Sequence, residues 1–191
     1  MLEKEYKCLV TKEQWQSFLC LMKKKYCILC PEETTQTNYY YDTADFVLNR
    51  TGRTLRVRQA GGRLLLQHKL RRIADGGVVC SEEEQRPAKD IPREMDGAPY
   101  GVSQLQLLGS LRTKRLRFRP LPGVRVDLDQ NVYLGRTDYE IEIEFEGEAP
   151  AGLLALCPAR LPLPGQGLGK YSRFLAQYRN GHYYTPYPNA G

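Results

Sequence analysis

Apolar and polar residues alternate along much of this chain with the period of two that is typical of β-strands. The clearest example is the segment DYEIEIEFE at 138–146, in which four apolar residues alternate with acidic ones. The acidic residues that share the polar face of its central part are Glu140, Glu142 and Glu144. The pattern predicts a strand with one apolar face and one strongly charged face.

The same alternation predicts further strands before this one. They lie at about 3–7, 38–42, 53–59, 63–70, 78–85, 113–119 and 124–129. The segments 53–59 and 63–70 are joined across Gly61-Gly62, a composition that is typical of a hairpin connection. The chain therefore carries about seven or eight predicted strands.

Helices are predicted where the apolar spacing changes from two to three or four. Thr11 and Gln14 have the spacing of a capping box, and the apolar residues after them predict a helix over 11–25. We also expect helices at 102–111, 149–157 and 170–178. The proline-rich stretch 87–100 and the segment 158–169 are predicted loops, and the Tyr/Pro-rich tail 181–191 is expected to be poorly ordered.

Strands with one apolar and one charged face predict an α+β fold built on a strongly curved antiparallel sheet or a closed barrel. Two orientations fit the pattern. Helices could cover an apolar outer face, so that the charges line the interior. Alternatively, the apolar face could fill the interior, and the charges would then form a solvated surface.

The composition of the charged face favours the first orientation. It consists mainly of Arg, Glu and Asp, and the signs are segregated by strand, although like charges that are adjacent on a sheet repel each other. A ligand that bridges the strands would explain this segregation. The cations are Lys7, Arg56, Arg58, Lys69, Arg115, Arg117 and Arg125, and the anions are Glu3, Glu5, Glu82, Glu84, Asp127, Asp129, Glu140, Glu142 and Glu144.

Both halves of this face have a chemical interpretation. Arginine binds phosphate oxygens in a bidentate manner, and lysine binds them as a point charge. Clustered carboxylates without His or Cys suit hard divalent cations such as Mg²⁺ or Mn²⁺. The pattern therefore points to a metal-bound triphosphate or a similar polyphosphate.

Length and composition add few constraints. The 191 residues, of which 41% are hydrophobic and 26% charged, are typical of a single globular domain. No signal peptide or apolar run of membrane-spanning length is visible, so we expect a cytoplasmic protein with no membrane partner. The net charge of +6 permits an anionic partner, but no nucleic-acid-binding signature is visible and nucleic acid is not expected.

The six cysteines do not have the spacing of a disulfide framework, and we expect free thiols. Cys27 and Cys30 form a C-x-x-C pair, which could be a redox or zinc motif. Since no second pair or histidine cluster follows, small buried or half-buried side chains are the favoured interpretation.

Several motifs, taken in order, resemble the CYTH domain of the triphosphate tunnel metalloenzyme superfamily. The resemblance extends from residue 3 to about 178 and predicts one domain over 1–180. Its elements are Glu3-x-Glu5-x-Lys7, YYYDT at 39–43, LRVR at 55–58, Lys69, Arg115 with Arg117, VDLD at 126–129, YEIEIE at 139–144 and GKYSRF at 169–174.

The resemblance implies an eight-stranded antiparallel β-barrel, or tunnel, with a charged interior and helices packed outside. It implies roles for four groups of residues. The metal ligands would be Glu3, Glu5, Glu140 and Glu142, and the catalytic residues Glu3, Glu5, Lys7 and Lys69. The phosphate ligands would be Lys7, Arg56, Arg58, Lys69, Arg115, Arg117, Lys170 and Arg173. Further candidates are Glu82, Glu84, Asp127, Asp129 and Glu144, with the register around Glu83 left open.

The implied activity is Mg²⁺- or Mn²⁺-dependent hydrolysis of inorganic tripolyphosphate or of a nucleoside or thiamine triphosphate, by a monomer or homodimer. Two alternatives stay open. A class IV adenylyl cyclase would use the same tunnel but requires an adenine pocket, for which no residue is evident. A non-catalytic polyphosphate-binding signalling module would keep the cations and could dispense with the metal ligands.

Overall fold

The structure, a computed structural model, describes residues 2–26, 31–73, 79–148, 150–154 and 169–181. Within these ranges the chain forms nine strands and four α-helices, with a short 3-10 helix at Ala98–Tyr100. The strands are β1 (Leu2–Val10), β2 (Glu32–Asp42), β3 (Arg53–Ala60), β4 (Arg63–Ile73), β5 (Val79–Pro87), β6 (Glu94–Met95), β7 (Leu105–Leu121), β8 (Val124–Tyr133) and β9 (Arg136–Phe145). The helices are α1 (Lys12–Tyr26), α2 (Val47–Arg50), α3 (Ala151–Leu154) and α4 (Lys170–Arg179).

All nine strands belong to one antiparallel sheet in the order β2-β3-β4-β5-β1-β9-β8-β7-β6. The two-residue strand β6 pairs only with β7 among the described strands. In addition, β2 pairs with β7 from Glu32 opposite Arg117 to Asp42 opposite Gln106. Strand pairings therefore lead from β2 through seven further strands and return to β2. The predicted strands and the α+β class are confirmed.

Helix α1 packs on the apolar face of the sheet, as the sequence predicts. Its N-terminus is a reciprocal capping box, since the Thr11 amide donates to Gln14 Oε1 and the Gln14 amide donates to Thr11 Oγ1. Phe18 and Met22 are buried against Ile141 and neighbouring apolar side chains of β1, β8 and β9. This helix covers the apolar side of β9 and leaves the glutamates on the opposite side.

Helix α4 packs on the charged face instead, so the prediction that the helices lie outside is wrong for this helix. Tyr171 and Phe174 form a buried cluster with Tyr40, Leu111 and Tyr133. Leu111 lies four residues before Arg115 in β7, and Tyr133 lies four residues after Asp129 in β8, so both share the side of the sheet that carries the charges. The charged face thus ends in an apolar cluster that α4 completes.

Gly109 permits the close approach of this helix. A Cβ atom at this position would lie 3.1 Å from Cζ of Phe174, and its φ of 143° is in the region that favours glycine. Strand and helix can therefore come into direct contact here.

The prediction of a helix at 102–111 is wrong, because strand β7 begins at Leu105. The register of β7 against β2 shifts between Tyr40 and Tyr41, which lie opposite Gly109 and Leu107, and this shift leaves Leu108 as an extra residue. Because of this bulge, buried leucines recur every three residues at 105, 108 and 111. A spacing of three resembles a helical stripe although the segment is a strand.

Several predictions fall on residues that the structure does not describe. These include Cys27, Cys30, the loop at 158–168, the tail from 182 onward, and residues 149 and 155–157 of the predicted helix at 149–157. The described part of that helix, 150–154, contains α3. Cys8 and Cys20 are free thiols, as expected. In the described part of the chain, no helix is long and apolar enough to span a membrane.

Candidate functional site

The charged face encloses a cavity of about 510 Å³, within the range of roughly 300–1,000 Å³ that is usual for small-molecule sites. Nine cationic and four acidic side chains are among its described lining residues. The cations are Lys7, Arg53, Arg56, Arg58, Lys69, Arg115, Arg117, Arg125 and Lys170, and the acidic residues are Glu5, Glu83, Glu142 and Glu144. The described lining therefore has a marked excess of positive charge.

Buried aspartates of β8 orient the two arginines that β7 contributes. Arg115 donates to Asp129 from Nε at 2.7 Å and from Nη2 at 2.6 Å. Arg117 forms the same kind of fork with Asp127, at 2.8 and 2.9 Å. Bidentate pairs of this kind fix the plane of a guanidinium group. Asp127 and Asp129 lie on the charged face of β8, as predicted, and they pair with these arginines.

Glu142 of β9 is the acidic centre of the cavity. Its side chain accepts hydrogen bonds from Lys7 at 2.8 Å, from Arg115 at 2.7 Å and from Lys170 at 2.7 Å. Burial alone would raise the pKa of Glu142, but Lys170, Lys7 and Arg115 lower it well below its ordinary value. Glu142 is therefore ionised at neutral pH.

Lys170, at the start of α4, lies among three carboxylates. Its Nζ is 2.8 Å from Asp129, 2.7 Å from Glu140 and 2.7 Å from Glu142. Burial opposes protonation, but these three carboxylates raise the pKa of Lys170 above its ordinary value. The ammonium group therefore bridges the aspartate of β8 and the glutamates of β9.

Two groups of described carboxylates are close enough to hold a metal ion. One consists of Glu5, Glu142 and Glu144, the other of Asp129, Glu140 and Glu142, and within each group the ligand atoms lie within 4.8 Å of one another. Lys170 already contacts all three members of the second group. In the first group, Oε1 of Glu5 is buried and accepts no hydrogen bond from the described residues, while Lys69 Nζ lies 3.8 Å from it. The first group therefore has the more available oxygen.

Strands β3 to β5 form the opposite part of the wall. Arg56, Arg58 and Lys69 line the cavity, as predicted. The acidic residue of β5 in the cavity is Glu83, which lies opposite Lys69 in the β4–β5 register. Glu83 accepts a hydrogen bond of 2.8 Å from Gln67, and its Oε2 is 3.7 Å from Arg56.

The predicted inward direction of Glu82 and Glu84 is therefore wrong, because both are exposed. In the run of glutamates at 82–84, the strand period allows only alternate residues to face the cavity. No apolar residue in this run marks the opposite face, so the sequence left the register open. Pairing with β4 determines it.

Arg173 was predicted to bind phosphate, but it is not among the described residues that line the cavity. It is 7% exposed, and it donates to Asp138 at 2.8 Å and to Glu140 at 3.2 Å. Lys170 and Arg173 lower the pKa of Glu140 although burial opposes this change. Arg173 therefore orients an acidic residue from behind the cavity.

The remaining predicted residues divide into two cases. Glu144 lines the cavity and pairs with Arg125. Glu3 lies in β1 with its backbone opposite Ser81, and its role as a metal ligand stays a prediction. The sequence interpretation also missed cavity residues with no charge pattern to mark them, such as Gln67 and Tyr40.

The fold and the cavity define an α+β protein whose antiparallel sheet carries a strongly cationic site. A family model of the CYTH domain matches residues 1–156, and the chain belongs to the CYTH domain family. It is 29% identical over 156 residues to YjbK of Bacillus subtilis (strain 168), which is described as a candidate triphosphatase; the match covers 75% of this chain and 77% of YjbK.

Solved structures share the fold. HpAC1 from Hippeastrum, described as an adenylyl cyclase candidate with a dominant triphosphatase activity, has a TM-score of 0.67 at 23% identity, and the match covers 91% of this chain and 95% of HpAC1. The bh2851 protein of Bacillus halodurans, described as an adenylate cyclase candidate, has a TM-score of 0.59 at 20% identity, with coverage of 98% and 94%. At these identities the likeness concerns the fold.

Proposed function

We propose that this chain is a divalent-metal-dependent triphosphatase, which hydrolyses inorganic tripolyphosphate or a nucleoside or thiamine triphosphate. The observation that carries the proposal is the cavity, whose described lining combines nine cationic side chains with four carboxylates. Arginine and lysine at this density suit a polyanion with several phosphates. The description of YjbK as a candidate triphosphatase and the triphosphatase activity described for HpAC1 support triphosphate hydrolysis.

The site is proposed to be an eight-stranded tunnel. Strand pairings that return from β7 to β2 support this shape, with β6 as an addition at the edge of β7. Enclosure excludes water and strengthens every interaction between the cations and a bound phosphate. The apolar cluster of α4 would limit the tunnel at one end.

The cationic side chains of the cavity are proposed to bind the phosphate oxygens. Arg115 and Arg117 are held in fixed planes by their aspartates, so they can meet phosphate without losing further side-chain entropy. Lys7 and Lys69 lie near Glu5, at 3.0 Å and 3.8 Å from its carboxylate oxygens. These two lysines are proposed to stabilise the negative charge of the transferred and leaving phosphates.

The residues present fit a hard divalent cation. Glu5, Glu142 and Glu144 offer only oxygen ligands, and Oε1 of Glu5 accepts no hydrogen bond from the described residues, although Lys69 Nζ lies 3.8 Å away. We propose this group as the metal site, with Glu3 as a further ligand. When bound, Mg²⁺ or Mn²⁺ would neutralise triphosphate charge and activate water. Glu140 was predicted as a ligand, and its contacts with Lys170 and Arg173 give it the alternative role of positioning Lys170.

The test is a product analysis with the full chain. The protein is incubated with tripolyphosphate, ATP or thiamine triphosphate, with MgCl₂, with MnCl₂ or with EDTA. The proposal predicts release of orthophosphate from at least one substrate, and no release in EDTA. Formation of cyclic AMP and pyrophosphate from ATP would instead identify a cyclase. Binding of the whole panel without turnover would identify a polyphosphate-binding module.

A further inference from the structure

Two buried hydrogen-bond donors of β2, which lie beside Arg58 of β3, have no acceptor among the described residues. Asn38 lies directly opposite Arg58 in the β2–β3 register, and Tyr40 lies two residues farther along β2 on the same face. Arg58 Nε donates to Asn38 Oδ1 at 3.0 Å. Asn38 Nδ2 and the Tyr40 hydroxyl are buried without a hydrogen-bond partner among the described residues. Asn38 and Tyr40 are each 0% exposed.

Arg58 has no carboxylate contact within the described part of the chain. Among the described residues its guanidinium group forms no ion pair, in contrast to Arg115 and Arg117 of β7, the other neighbour of β2. Burial, together with the neighbouring cations Arg56 and Arg115, lowers the pKa of Arg58 to about 9. A cation in this environment is stabilised when an anion approaches it.

Buried donors without acceptors are rare in folded proteins, because each loses its hydrogen bonds to water and gains none in exchange. Here two neutral donors with this deficit, Asn38 Nδ2 and the Tyr40 hydroxyl, adjoin Arg58, whose charge has no ion-pair partner among the described residues. Arg58 and Tyr40 line the cavity, and Asn38 lies beside Arg58. A group that offers only acceptor oxygens and carries negative charge would satisfy all three. Phosphate has these properties, whereas a metal ion would be repelled.

We propose that Asn38 and Tyr40, together with Arg58, form a subsite for the terminal, unesterified phosphate of the substrate. Arg58 supplies the charge, and the Asn38 amide and the Tyr40 hydroxyl donate to further oxygens of the same phosphate. This inference rests on the proposed function and extends it, since it assigns two uncharged residues of β2 to substrate selection.

The packing behind Tyr40 is the reason for choosing a terminal phosphate. The Tyr40 ring lies 4.8 Å from the ring centroid of Tyr171 and 5.2 Å from that of Phe174. Both partners belong to the buried cluster under α4. A sugar or other ester group on this phosphate would have to displace that cluster. The subsite therefore accepts a phosphate whose remaining oxygens are free, and any organic group extends the other way.

The test measures binding without turnover. Tripolyphosphate is titrated into the full chain in EDTA by calorimetry, with the wild type and the variants Tyr40→Phe, Asn38→Asp and Tyr39→Phe. Tyr40→Phe removes only the hydroxyl, and Asn38→Asp keeps an acceptor for Arg58 while replacing the donor by a charge that repels phosphate. Tyr39→Phe removes the neighbouring hydroxyl, which donates to Gln59 on the other side of the strand, and serves as the matched control.

We expect the dissociation constant to rise about tenfold in Tyr40→Phe and more in Asn38→Asp, with no change in Tyr39→Phe. Without ligand, the melting temperature of Tyr40→Phe should equal or exceed that of the wild type, because an unsatisfied buried hydroxyl is removed. Diadenosine triphosphate, which is esterified at both ends, should compete far more weakly than ATP.

Unchanged affinity in both Tyr40→Phe and Asn38→Asp would overturn the subsite, as would equal competition by diadenosine triphosphate and ATP. If Tyr40→Phe fails to fold, Asn38→Asp alone decides. Failure of the proposed function would give a different result. The wild type would bind tripolyphosphate and both variants would bind it more weakly, but the wild type would not hydrolyse it with Mg²⁺ or Mn²⁺.

Discussion

The Tyr171 hydroxyl donates a hydrogen bond of 2.6 Å to Oδ2 of Asp42, and this contact joins α4 to the end of β2. Asp42 also accepts hydrogen bonds from the backbone amides of Leu48 and Asn49 in α2. Burial, followed by the hydrogen bond to Asp42, raises the pKa of Tyr171. One buried carboxylate thus connects a strand with two helices, and it does so next to Lys170.

Tyr171→Phe should therefore lower the free energy of unfolding by about 1–2 kcal/mol, because a buried carboxylate loses one donor. Denaturant titration followed by circular dichroism measures this change. Tyr39→Phe is the control, since that hydroxyl makes an exposed hydrogen bond, and we expect a change below about 0.5 kcal/mol. Equal stability of the two variants would contradict the role of the Asp42 contact.

Alternation made most of the sheet predictable from the sequence. Strand β9 is the best case, because its isoleucines pack under α1 while Glu142 faces the cavity, as the period of two requires. The start of β7 could not be predicted in this way. Its bulge at Leu108 depends on pairing with β2, a contact between residues far apart in sequence.

The residues of the candidate site also divide into those that the sequence could predict and those that it could not. Arg56, Arg58, Arg115 and Arg117 were predictable because apolar neighbours fix their phase. Glu83 was not, since it lies in a run of three glutamates with no apolar neighbour. For Arg173, helical spacing identifies the residue but gives no information on whether it meets ligand or protein. Its contacts with Asp138 and Glu140 arise from tertiary packing.

Glu142→Gln should abolish turnover. Glu142 belongs to both acidic groups and accepts hydrogen bonds from three cations, so its charge organises the site. We expect metal-dependent turnover to fall by about 100-fold or more. The variant should retain a wild-type circular dichroism spectrum. Its free energy of unfolding should be about 1–3 kcal/mol lower, because the buried cations lose the negative charge that they contact.

The control for this variant is Glu84→Gln, which removes an exposed glutamate and should leave both rate and stability unchanged. Full activity of Glu142→Gln would contradict the assignment of β9 to the site.

Glu83→Gln should strengthen metal-free binding of tripolyphosphate. Glu83 is an acidic residue in a cationic cavity, so its neutralisation removes a repulsion with the bound anion. The amide can still accept the hydrogen bond from Gln67. We expect a several-fold lower dissociation constant in EDTA, with a difference that shrinks as salt is added. Calorimetry at two ionic strengths measures it.

Glu84→Gln again provides the matched control, one residue away and on the outer face. If Glu84→Gln changed affinity as much as Glu83→Gln, the register of β5 against β4 would be wrong.

Acid should destabilise the protein through the buried carboxylates of β9. The pKa values of Glu140 and Glu142 are lowered in the folded state from an ordinary value of 4.5. Since the unfolded chain binds these protons more readily, the two groups contribute their full stability above about pH 4.5 and lose it as the pH falls below that value. Lys7 and Lys170 have raised pKa values, so their contributions persist at neutral pH and are lost only above about pH 10.5.

Thermal melts followed by circular dichroism from pH 7 to pH 2.5 measure this dependence. We expect a nearly constant melting temperature down to about pH 5 and a steep decrease below pH 4.5. In Glu140→Gln the melting temperature should be lower at neutral pH and should decrease less steeply in acid, because the amide does not titrate. The same acid dependence in this variant and in the wild type would indicate that other carboxylates control the transition.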